Sequence, residues 1–192
     1  MDILMVVFVA GIHGVGKTWL CERYARQYEV RHITASALIE QVLTSFNLSA
    51  GERVNDSDLD QQALELAVNS IVASGKSLLL EGQLVLRDKH GQQVASNTDA
   101  FARLNLAAIV LISSDVSVVA QRQSSRDATA IPADLEAFQR REMQHAEQIS
   151  KALGIPLLTL HAPDTHTFNQ AVGACFGHSS VARHLLPPGV AQ

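Results

Sequence analysis

Cysteine is nearly missing from this sequence: among 192 residues only Cys21 and Cys175 carry a thiol. Two cysteines make no disulfide framework. With no signal-peptide pattern at the start, they point to reduced thiols and a cytoplasmic setting. Runs of lysine or arginine are absent too, and the formal net charge is -4. A groove for duplex nucleic acid carries a basic stripe, so that class of function is set aside. The apolar stretch Ile3–Ala10 is too short to span a membrane, and Asp2 puts the wrong charge before it. The histidines show no metal-ligand spacing, and neither an internal repeat nor a low-complexity segment occurs. What is present, 47% hydrophobic and 18% charged, suits one globular domain with a substantial core.

The most informative stretch is Gly11-Ile12-His13-Gly14-Val15-Gly16-Lys17-Thr18, which fits Gly, four residues, Gly-Lys-Ser/Thr. Glycines keep the backbone open, so that successive N–H groups of Gly14, Val15 and Gly16 face one anion. The helix that follows adds its positive N-terminal end. Lys17 is then placed to reach the β- and γ-phosphates of ATP, and the Thr18 hydroxyl to hold Mg²⁺. The context agrees. Residues 3–10 read as a strand buried on both faces. Leu20, Tyr24 and Tyr28 recur every fourth residue, as on a helix. Trp19 either stacks near the nucleotide or packs in the core, and His13 contributes only its backbone.

Further along, Glu29–Thr34 reads as a short strand, and Ser36 or Thr34 caps a helix running to Phe46. Asn47–Asn55 is polar and reads as a loop. A helix from Asp56 or Ser57 ends at Gly75. Lys76–Gly82 is a third strand, and Gln83–Asp99 is a polar, irregular connection. Leu106–Ile112 is a fourth strand. A helix capped from Ser113, Ser114 or Asp115 follows, and the pattern breaks over Ser124–Pro132. A long helix covers about 133–153, with Glu136 and Arg140 paired on its solvated face. A fifth strand, Ile155–Leu160, and a last helix, 165–176, complete the series. The alternation predicts an α/β three-layer sandwich: a five-stranded parallel sheet with helices on both faces, of P-loop NTPase type. Ligands then gather beyond the carboxyl ends of the strands, where Gly11, Glu81, Ser113 and His161 are expected to converge.

The whole pattern resembles the P-loop nucleoside monophosphate kinases, most closely the archaeal-type adenylate kinases. The resemblance rests on the loop 11–18, on Leu78-Leu79-Leu80-Glu81-Gly82-Gln83 followed by Leu86-Arg87, and on Leu111–Asp115 followed by Val118–Asp127. It implies Mg²⁺ or acceptor orientation for Glu81, acceptor contacts from Ser36, Gln83 and Arg87, and a lid carrying Arg122 and Arg126. The family's acceptor-gripping arginine is replaced by Glu40, which leaves Arg53 or Arg87 to substitute. Taken singly, Arg87 also reads as a surface arginine. Arg122 and Arg126, four apart, also read as a solvated basic face with Asp127 nearby.

The resemblance implies one kinase-like domain over 1–176, with an acceptor-binding helical region at 47–75 and a lid at about 115–134. Residues 177–192 read as a tail, loose or docked on a partner. The function expected is transfer of the ATP γ-phosphoryl group to a nucleoside monophosphate or a related small acceptor. The rival is an ATP-dependent switch or assembly ATPase that reports nucleotide state to a partner protein. A homodimer fits either reading.

Overall fold

The computed structural model describes residues 5–46, 57–88, 90–125 and 134–177, with residues 57 and 58 by backbone alone. Arg53, Arg126, the lid segment 126–133, residues 47–56 of the expected acceptor region and the tail from 178 lie outside the described residues. Five strands form one parallel sheet: β1 (Val6–Ala10), β2 (Arg31–Thr34), β3 (Leu78–Glu81), β6 (Leu106–Ser113) and β7 (Leu157–His161). The spatial order is β2-β3-β1-β6-β7, every neighbouring pair parallel. Central β1 is buried at all five positions, as its unbroken apolar sequence requires. Strand alternation sends Val6, Phe8 and Ala10 to one face, and Val7 and Val9 to the other.

Each face is sealed by its own helices. Under the first lie α2 (Ala35–Ser45), α3 (Ser57–Ala73) and α4 (Thr98–Ala102), contributing Leu38, Val68, Ile71 and Phe101. The second is covered by α1 (Lys17–Tyr28), α5 (Val116–Ser124) and α7 (Thr165–Cys175), through Leu20, Tyr24, Val119, Phe168 and Val172. Full burial of each such side chain contributes about 1.5–3 kcal/mol. The longest helix, α6 (Leu135–Leu153), serves both: Leu135 and Phe138 join the second core, Ala146 and Ile149 the first. No helix among the described residues is long and apolar enough to cross a membrane.

Several boundaries differ from expectation for local reasons. Strand β2 starts at Arg31, because Glu29 closes α1 in a left-handed conformation (φ 55°). Thr34, not Ser36, caps α2, accepting from the Ala37 amide at 3.1 Å. Asp115 stands at the start of α5 without a side-chain cap bond. The connection 83–99 is not irregular: β4 (Val85–Arg87) and β5 (Gln93–Ala95) form an antiparallel hairpin. Its turn is closed by the Asp88 carboxylate, which accepts from the amides of His90 and Gln92, both at 2.8 Å. His145 of α6 holds the hairpin's end through the Ser96 carbonyl at 2.7 Å.

Candidate active site

The phosphate loop leaves β1 at Gly11, where φ is +142° and a Cβ would lie 2.4 Å from the Ile112 carbonyl oxygen. Only glycine lets the chain turn that close to β6. Helix α1 then begins at Lys17 with no side-chain cap, so its first amides have no side-chain acceptor. They border a cavity of about 530 Å³. Its walls include Gly14, Val15, Gly16, Lys17, Thr18, Trp19, Glu81 and Arg122. Eight of the expected nucleotide-site residues are thus brought together. Uncapped helix amides beside two cationic side chains are suited to an anion.

Lys17 is buried, and its Nζ donates to the carbonyls of Gly11 (2.7 Å) and Ile12 (3.2 Å). Burial pulls its pKa below the usual lysine value, against the raising effect of Glu81 and Glu142. Thr18 Oγ1 donates to Glu81 Oε1 at 2.8 Å, and His32 Nε2 stands 3.0 Å from Glu81 Oε2. Burial pushes the Glu81 carboxyl up, but the bonds from His32 and Thr18 and the charge of Lys17 outweigh it and hold it below the ordinary range. A hydroxyl beside a carboxylate, all oxygen, suits a hard cation such as Mg²⁺. Arg122 lies over the loop, Nη1 donating to the Gly14 carbonyl at 3.0 Å, and Gln123 donates to the His13 carbonyl at 2.7 Å. Helix α5 therefore clamps the outside of the loop.

Other expectations fare differently. Trp19 does not enter the core; it is 53% exposed, with the Arg23 guanidinium 4.2 Å over its ring. Gly11 stands behind the cavity wall. Ser113 and His161 bond to each other (3.1 Å), and His161 also meets Asp115 (3.3 Å), so the wall is built by the adjoining Ser114, Ala162 and Pro163. Ser36, Gln83 and Arg87 do not line the cavity. Ser36 is exposed and bonded to Thr34 at 3.2 Å. Arg87 is tied to Asp134 at 2.6 Å and lies 4.4 Å over the Phe138 ring. Gln83, two residues past Glu81, has a buried side-chain nitrogen with no partner. Arg140 pairs with Glu136 at 2.9 Å, as read.

Two residues that touch the candidate site escaped the sequence reading. Glu142 of α6 is 1% exposed. Its Oε1 accepts from the amides of Gly11 (3.1 Å) and Leu84 (2.9 Å), and its Oε2 from Val85 (2.7 Å). One carboxylate thus joins the phosphate loop to the segment after β3. Burial pushes its pKa up, against the pull of those three amides. A sequence signal existed: Phe138, Glu142 and Ala146 are spaced by four, which sets an acid in the apolar stripe. His32 had no such signal, since an edge strand tolerates a polar residue at any position.

The model of a family described as AAA domain matches residues 10–137. A sugar kinase from Janibacter sp. HTCC2649 aligns with a TM-score of 0.58 at 15% identity, over 92% of this chain and 96% of that one. A gluconokinase from Sinorhizobium meliloti 1021 gives 0.53 at 16%, over 92% and 93%. A shikimate kinase from Acinetobacter baumannii, in complex with shikimate, gives 0.54 at 13%, over 93% and 97%. At these identities the likeness is one of fold. No curated protein matches the sequence.

Proposed function

From the chain's membership of the AAA domain family, whose model spans residues 10–137, we propose that it is a P-loop kinase transferring the ATP γ-phosphoryl group to a small molecule. The observation that carries this reading is the cavity where uncapped α1 amides, buried Lys17, Arg122 and the Thr18–Glu81 pair meet. Loop amides and Lys17 bind the phosphates, and Arg122 offsets charge that develops on the transferring group. Lys17 exchanges its two carbonyl partners for phosphate oxygens. Thr18 and Glu81 would hold Mg²⁺, which would supply neutralisation of the phosphate charge. The chain's part is positioning and electrostatics, with no covalent intermediate.

The acceptor side lies past β3. There Gln83 offers an unpartnered buried amide, and Arg87 is already neutralised by Asp134. Both features support an acceptor recognised through hydroxyl or carbonyl oxygens, a class to which the sugar kinase and gluconokinase named above also point. A nucleoside monophosphate, as in adenylate kinases, is the second reading. It is favoured by the exposure of Asp134 (45%), because a half-exposed pair opens at little cost when a phosphate arrives.

ADP release, coupled to a reporter and measured across sugars, sugar acids and nucleoside monophosphates, tests the proposal. Stimulation by one acceptor supports the kinase and names its class. A flat panel with ATP binding intact refutes it in favour of an ATP-dependent switch.

A further inference from the structure

Beneath the phosphate loop, on the sheet face covered by α1, three chemically different donors converge. Strand alternation puts Leu79 and Glu81 of β3 on that face, and the β2 register sets His32 and Thr34 beside them. Helix α1 crosses above, and Cys21, four residues past Lys17, points down into the same core. The Cys21 thiol, a His32 ring nitrogen and a Glu81 carboxylate oxygen all lie within 4.8 Å of one another. His32 and Glu81 are already in contact at 3.0 Å.

We propose that Cys21, His32 and Glu81 form a binding site for a thiophilic divalent cation, best matched by Zn²⁺, and that its occupation opposes Mg²⁺·ATP binding. One sulfur, one imidazole nitrogen and one carboxylate oxygen are the donor types Zn²⁺ takes, at about 2.3, 2.0–2.1 and 2.0–2.2 Å. Tetrahedral geometry at those lengths separates the donors by roughly 3.3–3.6 Å, so closing the site needs shifts on the order of 1 Å. Of the three ligands, Glu81 also lines the cavity, from which water can supply the fourth ligand. On binding, the Cys21 S–H bond gives way to a sulfur–metal bond and its proton leaves to solvent, with no change of oxidation state. Mg²⁺ prefers oxygen and keeps its waters, so it does not compete for the thiolate. Zn²⁺ replaces the His32–Glu81 contact and draws negative charge from the carboxylate whose other oxygen Thr18 bonds at 2.8 Å, and so weakens the pair assigned to Mg²⁺. That second effect rests on the kinase reading; the binding itself does not.

The test uses the full chain without nucleotide. Zn²⁺ alone, titrated against a colorimetric chelator, should bind one equivalent. Co²⁺ in its place should give a thiolate-to-metal charge-transfer band in the near ultraviolet. Losses of groups behind metal ligands cost about 10–100-fold in affinity. Cys21→Ala, which removes a ligand, should therefore abolish the band and weaken Zn²⁺ at least about 100-fold. His32→Asn should weaken Zn²⁺ while keeping the band, and Cys175→Ala should change neither. X-ray absorption at the zinc edge of the parent protein should count one sulfur, a readout that needs no variant to fold. A shell without sulfur, or an unchanged affinity in folded Cys21→Ala, overturns the proposal. Turnover is read separately: Zn²⁺ in excess Mg²⁺ should raise KM for ATP in the parent and in Cys175→Ala, and spare Cys21→Ala. An inhibition that ignores the Cys21 substitution refutes the competition. Failure of every acceptor counts against the kinase reading and leaves the metal result standing.

Discussion

Removing the Glu142 carboxylate should be among the most damaging single changes to this protein. Glu142→Ala leaves three buried amides, those of Gly11, Leu84 and Val85, without their acceptor. An orphaned buried donor costs about 1–3 kcal/mol. Part of that loss is returned, because burial itself penalises the carboxylate, as its raised pKa shows. A net loss of about 3 kcal/mol remains, a large share of the roughly 5–15 kcal/mol that holds a typical domain together. Glu142→Gln keeps the shape and two acceptor positions on one oxygen, but turns an NH₂ towards a third amide. Its cost should be smaller, about 1–3 kcal/mol. Urea unfolding followed by circular dichroism gives the measurement. With m near 1–3 kcal/mol/M, the alanine variant should unfold at roughly 1–3 M lower urea, and the glutamine variant between it and the parent. ATP affinity should fall in the same order, because Gly11 no longer has a fixed anchor. If Glu142→Ala shifts stability by less than about 0.5 kcal/mol, the carboxylate is not holding those amides and the reasoning fails.

Three further outcomes are expected. Lys17→Ala should abolish acceptor-stimulated turnover yet lower stability by no more than about 1 kcal/mol, since burial already disfavours its charge; normal turnover would refute its placement on the phosphates. Glu81 has a folded pKa below its ordinary value of 4.5, so its contribution to stability is present above that value and lost as pH falls through the lowered one. Melting temperature should therefore drop below pH 4.5 less steeply in Glu81→Gln than in the parent, and parallel curves would show that the carboxylate is not stabilised. Arg122→Ala should lower kcat by about two orders of magnitude while ATP binding weakens modestly, and an unchanged kcat would leave Arg122 as a loop clamp only.

The phosphate-loop half of the candidate site was legible in the sequence because its geometry is local. Eight residues from Gly11 to Thr18 fix a turn, an amide nest and a cation together, and the flanking periodicities announce a strand and a helix. Glu81 was readable as an acid ending an apolar strand. The acceptor half was not, for two reasons. Arg87 looked available until the fold brought Asp134 to it across 47 positions. The hairpin 85–95 has strands of three residues, too short to show a period. Glu142 and His32 illustrate the same limit: their partners are set by tertiary contact, and only Glu142 left a trace in the helical pattern. Of the two places open to Trp19, the cavity rim and the core, the fold takes the rim, because its position on α1 turns it away from the core side of Tyr24 and Leu20.

The bond from Gly11 to Glu142 spans 131 positions, and this sets a timetable for biosynthesis. The phosphate loop leaves the ribosome well before α6 does. At about 5–20 residues per second, the acceptor for its Gly11 amide follows on the order of 10 seconds later. Until then the loop has its sequence but not its tether, and the cost of closing so long a segment is met only when α6 settles on the sheet. A nascent or truncated chain that stops short of residue 142 therefore carries the whole Gly-Lys-Thr signature without its anchored geometry. The geometry of the phosphate loop is thus complete only after α6 has arrived and the chain has committed to the fold.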